Sequence, residues 1–237
     1  MSPKADIDLL ILRENSEGLY SGREHWQEEG VGIAERVISR TASQRLAECA
    51  TQVAAQRRAR RITLVHKANV LPMTCGLFRD TCRAHLAAQG WIDVVDERLV
   101  DVAALQLVAQ PEAFDLIVTS NLFGDILSDL GPACTGTIGI APAGNINPER
   151  AFPSLFEPVH GSAPDIAGLG VANPVGQIWS AALMLDHLGE PEAAAAVLAA
   201  IEAVLAQPEL RTRDLGGPLG TEACGRAIAE AVARPAG

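Results

Sequence analysis

Short apolar runs rich in β-branched residues alternate, in the first half of the chain, with segments whose apolar residues recur every three or four positions. The runs predict strands and the recurring spacing predicts helices, a pattern typical of an α/β layered domain. The predicted strands are Asp8–Leu12, Ile62–Val65 and Phe114–Thr119, and the predicted helices are Ser43–Gln56, Cys75–Ala88 and Phe123–Ala133. Residues 20–40 contain glycines among apolar residues, which favours a hairpin-like arm over a helix.

The pattern changes in the second half. Residues Gly136–Asn173 are rich in Gly, Pro, Asn and Ser, and their apolar content favours a long functional loop over a disordered one. The remaining residues predict three helices, Val175–Leu188, Pro191–Ala206 and Thr221–Ala233. Helices of an α/β protein normally cover a parallel sheet. This half therefore indicates that strands are missing or come from elsewhere.

Composition excludes several classes of protein. The 237 residues are 48% hydrophobic and 20% charged, as in folded globular proteins, and the net charge of −10 disfavours nucleic acid and anionic membranes as partners. Five scattered cysteines are typical of reduced thiols in a cytosol. Met1–Asp6 lacks a leader pattern, and the longest apolar run, Ala193–Ile201, is too short to cross a bilayer. We therefore predict a cytoplasmic protein.

Two acidic residues follow the third predicted strand. Asp125 and Asp129 are four positions apart, so a helix would carry both carboxylates on one face, where they could ligate Mg²⁺ or Mn²⁺. The alternative is that they favour the start of the helix through its dipole. Spacing alone leaves both interpretations open.

Other candidate residues follow the first two predicted strands. Lys67 lies where open α/β sheets bind ligands and could accept a proton, although it could also extend into solvent. Arg13 has a guanidinium suited to carboxylates, although a surface salt bridge is the simpler interpretation. Tyr20, the only tyrosine, could act as an acid.

A segment of small residues, Glu157–Gly168, continues to Asn173. Small side chains allow a ligand to approach the backbone closely, and an acidic residue there could accept hydrogen bonds from ribose hydroxyls. A purely structural loop explains the composition equally well. The chain has no Gly-x-Gly-x-x-Gly pattern after a strand, so a Rossmann dinucleotide site is not supported.

Taken in order, His66–Pro72, Asn121–Asp129 and Phe156–Asn173 resemble signatures of the isocitrate/isopropylmalate dehydrogenase family of β-hydroxyacid oxidative decarboxylases. The resemblance extends from about Asp8 to about Ala233. It implies an α/β fold of the isocitrate/isopropylmalate dehydrogenase type that is truncated at its amino end. Residues 1–135 would form a small dimerisation and substrate domain with a projecting arm at 20–40, and residues 136–237 would form the second half of a large, cofactor-binding domain.

The resemblance also implies roles for individual residues. Tyr20 and Lys67 would be the catalytic acid and base, and Arg13 and Asn69 would bind substrate. The metal ligands would be Asp125, Asp129 and Asp101, and a partner subunit would supply Asp101 and Lys67. The residues expected to bind the adenosine part of the cofactor are His160, Gly161, Ser162, Ala163, Asp165, Ile166 and Asn173.

The implied activity is NAD-dependent and Mg²⁺- or Mn²⁺-dependent oxidative decarboxylation of a malate-type 2-hydroxy acid by a homodimer with shared active sites. The motifs are closest to homoisocitrate, isocitrate and tartrate dehydrogenases and conflict over the individual acid. NADP-using relatives carry a basic and an aromatic residue where this chain has Asp165 and Ile166, which favours NAD. The alternative is a non-catalytic dimerising module, or a split-enzyme subunit, that docks on a full-length relative.

Overall fold

The computed structural model describes residues 7–233, so the amino-terminal segment Met1–Asp6, for which no leader was predicted, lies outside the described residues. The chain divides into two compact units with a boundary at Cys134 and Thr135. We call residues 7–134 the sheet unit and residues 135–233 the helical unit. The roles predicted for the two halves of the chain stay predictions.

Four parallel strands form the centre of the sheet unit, in the spatial order β1, β6, β4, β5. The unit consists, in chain order, of β1 Leu10–Arg13, β2 Glu24–Glu28, β3 Val31–Ala34, α1 Arg40–Arg57, β4 Ile62–His66, α2 Thr74–Ala88, β5 Val95–Leu99, α3 Val100–Ala109, β6 Leu116–Thr119 and α4 Asn121–Thr135. Short 3₁₀ turns lie at Leu19–Ser21, Ile92–Val94 and Pro111–Ala113.

Burial explains why the central strands form where they do. Every residue of β4 and β6 is buried, as expected for parallel strands that are covered on both faces. One apolar cluster combines sheet residues with α1 and α2, and a second cluster combines them with α3 and α4. The helix α1 begins after Ser39, whose hydroxyl oxygen accepts the Ala42 amide at 3.1 Å.

The predicted arm is an antiparallel hairpin of β2 and β3, and every residue of both strands is exposed. The three strands predicted for this half are confirmed with shifted ends, and the predicted helices are confirmed with ends that differ by at most three residues. The strand β5 and the helix α3 were not predicted. The strand lies at the edge of the sheet, where charged residues are tolerated, so Asp96, Glu97 and Arg98 interrupt the apolar pattern that would predict it.

The helical unit packs three helices around one apolar cluster. They are α5 Val175–His187, α6 Pro191–Leu205 and α7 Thr221–Ala233, and all three were predicted within one residue of their ends. The prediction of a continuous loop over 136–173 is wrong, because β7 Pro142–Asn145 and β8 Leu155–Pro158 pair there as an antiparallel hairpin. Short 3₁₀ turns lie at Ile138–Ile140, Pro208–Leu210 and Arg213–Leu215. Among the described residues, no helix is long and apolar enough to cross a membrane.

Candidate functional site

The carboxyl ends of the four parallel strands bring several of the predicted site residues to one edge of the sheet. Arg13 ends β1, Lys67 directly follows β4, and Asp101 lies two residues beyond β5. The helix that carries Asp125 begins two residues beyond β6. Open α/β sheets bind their ligands at this edge. The structure therefore places the predicted base, two predicted metal ligands and the predicted substrate arginine where the fold favours chemistry.

Arg13 is held by two polar partners from the start of α4. Its Nε donates to Asn121 Oδ1 at 2.8 Å, and its NH1 lies 2.6 Å from Asp125 Oδ1. Its guanidinium carbon also lies 5.0 Å from the centroid of the Tyr20 ring, within the range of cation–π attraction. Arg13 thus forms a salt bridge, but with a predicted metal ligand rather than with an unrelated surface residue.

A glycine allows this close approach of β1 to α4. A Cβ atom on Gly124 would lie 2.7 Å from both Cβ and Cγ of Arg13, closer than non-bonded carbon atoms pack. Any other residue at position 124 would therefore collide with the side chain of Arg13. The arginine can cross the helix to reach Asp125 only because position 124 lacks a side chain.

Tyr20 is exposed over about half of its surface, at 55%. A hydrogen bond from its phenol to Asp125 raises the pKa of Tyr20 above the ordinary value of 10.0, and the nearby Arg13 opposes this shift only weakly. A phenol with a raised pKa keeps its proton at neutral pH. The arrangement suits a residue that donates a proton to a reacting carbon.

Lys67 and Asp101 form the second pair at this edge. Lys67 Nζ lies 2.5 Å from Asp101 Oδ1, and the side chains are 24% and 61% exposed. The hydrogen bond from Lys67 lowers the pKa of Asp101 below its ordinary value. Lys67 is therefore directed at a carboxylate rather than into solvent. Asn69, also a predicted substrate residue, is exposed and makes no hydrogen bond with the residues described here.

The carboxylates at this edge fit a hard divalent cation by their chemistry but do not form a complete set within one chain. Asp129 is exposed and has no polar partner among the described residues, whereas Asp125 is held by Arg13. Within residues 7–233, no three acidic, histidine or cysteine side chains converge in a way that could hold a metal ion. A cation ligated by Asp125 and Asp129 therefore needs an oxygen donor from another molecule.

In the helical unit, the predicted adenosine loop follows β8 as a series of turns. The amide of Ile166 donates to the Ala163 carbonyl at 3.1 Å, and Ala163 has a positive φ of 44°. His160 Nδ1 lies 3.0 Å from the Gly161 carbonyl oxygen. The side chains of Ser162 and Asp165 are exposed and bond to no other described residue. The carboxylate of Asp165 can therefore accept hydrogen bonds from a ligand.

Asn173 is oriented differently, because both polar atoms of its side chain make hydrogen bonds inside the unit. Its Oδ1 accepts the Val175 amide at 2.9 Å, and its Nδ2 donates to Asp214 Oδ2 at 2.9 Å. Asp214 also accepts hydrogen bonds from Thr137 and Thr212, both at 2.6 Å. Burial alone would raise the pKa of Asp214, but these hydrogen bonds lower it.

Several supporting residues were not predicted as site residues. Asn121 accepts from Arg13 and donates through Nδ2 to the Glu17 carbonyl at 2.8 Å, which joins β1 to α4. Glu14 is buried and accepts the amides of Ser16 and Glu17 together with the Ser16 hydroxyl. The position of Asn121 and Glu14 at strand ends is the signal that could have identified them.

A parallel sheet with acidic and basic side chains at its carboxyl edge is typical of α/β proteins that bind small, polar ligands there. Comparison with known proteins specifies this class. Residues 2–232 match the family model "Isocitrate/isopropylmalate dehydrogenase", and the chain belongs to this family. The fold predicted from the resemblance is confirmed, because the isocitrate dehydrogenase from Methylococcus capsulatus superimposes with a TM-score of 0.91 at 42% identity. That match covers 98% of this chain and 69% of the other.

Similar curated proteins include the isocitrate/homoisocitrate dehydrogenase of Thermus thermophilus, which is 50% identical over 95% of this chain. The tartrate dehydrogenase/decarboxylase of Pseudomonas putida and the decarboxylating D-malate dehydrogenase of Escherichia coli are each 44% identical over 97% of this chain. The chain spans 66%, 65% and 65% of the length of these three relatives. All three relatives are named as dehydrogenases, and the names of the Pseudomonas and Escherichia proteins also include decarboxylation.

Proposed function

We propose that this chain carries acid, base, metal and adenosine-binding residues for NAD-dependent oxidative decarboxylation of a malate-type 2-hydroxy acid. The observation that carries the proposal is the pair of contacts at the carboxyl edge of the sheet. Arg13, Tyr20 and Asp125 form one group, and Lys67 and Asp101 form the other. A docking module would not need these five side chains in contact.

The proposed substrate class follows from what the relatives named above have in common. Isocitrate, homoisocitrate, tartrate and D-malate all carry a hydroxyl group beside one carboxylate and a second carboxylate one carbon further on. Arg13 presents a planar fork that suits such a carboxylate. Its present partner is the Asp125 carboxylate at 2.6 Å, so a substrate carboxylate would replace a contact of the same kind.

The two proton-transfer roles are assigned to Lys67 and Tyr20. Lys67 would accept the hydroxyl proton of the substrate during oxidation. When carbon dioxide leaves, the electron pair of the broken carbon–carbon bond stays on the substrate as an enolate, and Tyr20 would donate a proton to that carbon. Tyr20 holds a proton before the step, because its pKa lies above the ordinary value of 10.0.

The cofactors are assigned to residues with carboxylate oxygens, which can ligate a cation or accept hydrogen bonds. Asp125 and Asp129, with Asp101 of a second copy, would hold Mg²⁺ or Mn²⁺, since all three supply only oxygen ligands. Asp165 would accept hydrogen bonds from the adenosine ribose, which a 2′-phosphate would prevent through charge repulsion. When bound, NAD would accept the hydride, and the cation would polarise the resulting carbonyl and stabilise the enolate.

A homodimer is part of the proposal, because Asp101 and Lys67 are expected to serve a neighbouring copy. The hairpin of β2 and β3 supports it, since Trp26 is 74% exposed and Val31 and Ile33 are also exposed. An exposed apolar hairpin is prone to associate. We also propose a cytoplasmic location, supported by five free cysteines.

The test is a turnover assay of the chain with Mn²⁺, NAD and a panel of isocitrate, homoisocitrate, isopropylmalate, tartrate and D-malate. We expect NADH formation with at least one acid, and a loss of about 10²- to 10⁴-fold in Lys67→Met and in Tyr20→Phe. The half-buried His85 on α2 lies outside the proposed machinery, so His85→Asn is the control. The competing function, a non-catalytic docking module, requires that no acid be oxidised and that the hairpin alone explain association.

A further inference from the structure

The residue before Lys67 is a buried histidine whose ring bonds to the residue after Lys67. His66, the last residue of β4, is only 5% exposed. Its Nδ1 accepts the amide hydrogen of Ala68 at 3.2 Å. The imidazole therefore closes a small turn around the position of Lys67.

The other ring nitrogen faces a carboxylate that is itself held in place. His66 Nε2 lies 3.4 Å from Glu97 Oε2, which is long for a hydrogen bond, and it has no closer polar partner in the described part of the chain. Glu97 Oε1 is 2.5 Å from NH1 of Arg83 on α2. Because Nδ1 accepts a hydrogen bond, the proton of a neutral ring is on Nε2 and points towards Glu97.

The backbone carbonyl of Lys67 is also held by hydrogen bonds. The Lys67 carbonyl accepts the amides of Val70 at 3.1 Å and Leu71 at 2.9 Å. With the Ala68 amide bonded to His66, both the carbonyl and the amide of the peptide group between Lys67 and Ala68 have defined partners. The direction in which the lysine side chain leaves the backbone, and with it the 2.5 Å contact with Asp101, depends on these bonds.

We propose that His66 is a positioning residue for Lys67: its Nδ1 holds the Ala68 amide, and Glu97, itself held by Arg83, orients the imidazole. The proposal rests on the proposed function only in treating Lys67 as the catalytic base. His66 itself is not expected to touch the substrate, because its ring is buried on the α2 side of the sheet beside Glu97.

The arrangement requires a neutral ring. Burial lowers the pKa of His66 below its ordinary value of 6.5, and the contact with Glu97 opposes this only in part. A protonated ring would present an N–H to the Ala68 amide and break the turn. The charged groups that face the ring are Glu97 from β5 and Arg79, Asp80 and Arg83 from α2. The turn should therefore weaken as the pH falls through the lowered pKa of His66.

The experiment compares hydrogen exchange of the Ala68 amide, measured by NMR on the whole chain, in wild type, His66→Asn and His66→Leu. Asparagine can accept the amide two residues later through its own carbonyl oxygen, whereas leucine cannot. We expect exchange roughly fivefold faster in His66→Leu, the factor for one ordinary hydrogen bond, and near the wild-type rate in His66→Asn. The matched control is His85→Asn. In the wild type, the Ala68 amide shift should also follow the titration of His66.

Turnover supplies the second measurement. We expect His66→Leu to lower kcat by roughly 10- to 100-fold with little change in KM, as for a misplaced catalytic group, and His66→Asn to recover most of this loss. An unchanged Ala68 exchange rate in His66→Leu, or an unchanged kcat in that variant, would overturn the inference. Full turnover in Lys67→Met would instead overturn the proposed function and leave the Ala68 result standing.

Discussion

Replacing Gly124 by alanine should displace Arg13 from Asp125. The new Cβ would lie 2.7 Å from two side-chain carbons of Arg13 and 3.1 Å from a third. The backbone of Arg13 cannot move away easily, because it pairs in register with Thr119 of β6 and the next amide, that of Glu14, donates to Thr119 at 3.0 Å. The side chain must therefore leave its present path over α4.

Two opposing effects set the magnitude. Alanine within a helix is favoured over glycine by about 1 kcal/mol. Overpacking costs about 1 to 3 kcal/mol, and the loss of the Arg13 hydrogen bonds to Asn121 and Asp125 adds about 1 kcal/mol because the pair is partly solvent-screened. We expect the free energy of unfolding to fall by about 2 kcal/mol.

Urea denaturation of Gly124→Ala and Gly76→Ala measures this difference. Gly76 also lies inside a helix, α2, but a Cβ there meets no atom within 4 Å. The control variant should be as stable as wild type or up to about 1 kcal/mol more stable. If Gly124→Ala is stabilised to the same degree as Gly76→Ala, Arg13 is not confined by α4 and the steric explanation is wrong.

Four further predictions concern association, metal, cofactor and pH. Ile33→Asp should convert a dimer into a monomer in light scattering, because it places a charge on the apolar hairpin. Mn²⁺ should raise the melting temperature of the wild type by mass action and should raise it less in Asp129→Asn. Catalytic efficiency should favour NAD over NADP, and Asp165→Lys combined with Ile166→Tyr should improve use of NADP. Asp214→Asn should lose about 1 kcal/mol of stability at neutral pH, and this difference should vanish at acid pH.

The sign of the last prediction follows from the lowered pKa of Asp214, whose ordinary value is 3.8. A carboxylate whose pKa is lower in the folded state stabilises the protein above its unfolded-state pKa, and this contribution is lost as pH falls through the folded-state pKa. A difference that persists at lower pH would contradict it.

For the other three, contradictory results are a dimer with Ile33→Asp, an equal Mn²⁺ shift with Asp129→Asn, and equal use of NADP by the wild type. Leu105→Asp, at an exposed position on α3, is the control for Ile33→Asp. Asp186→Asn, at an exposed position on α5, is the control for Asp129→Asn and Asp214→Asn.

The sequence correctly predicted the elements in which the pattern of apolar residues follows their burial. The strand β4 is apolar except for Thr63 and His66, and α7 was predicted with its observed ends. The strand β5 was missed because an edge strand tolerates charged residues. The hairpin of β7 and β8 was missed because it begins at Pro142 and contains Gly144, residues that usually indicate loops.

The site residues were predicted individually, but their contacts were not. The ion pair of Arg13 and Asp125 exists because β1 lies beside β6, although the two strands are about a hundred residues apart in the chain. Hydrophobic patterns carry no information on strand order. Lys67 and Asp101 were both expected to serve a partner subunit, and their contact within one chain follows from the pairing of β4 with β5. The roles of His66 and Asp214 depend on side-chain hydrogen bonds that only the structure reveals.

The central claim is that this chain couples oxidation of a malate-type acid to loss of carbon dioxide. The most direct test measures NADH and labelled carbon dioxide in the same reaction, from an acid labelled in the carboxyl group that leaves, with Mn²⁺ present. We predict equal amounts of the two products, and a loss of both to the same degree in Lys67→Met. NADH without carbon dioxide, or no NADH from any acid of the panel, would contradict the account.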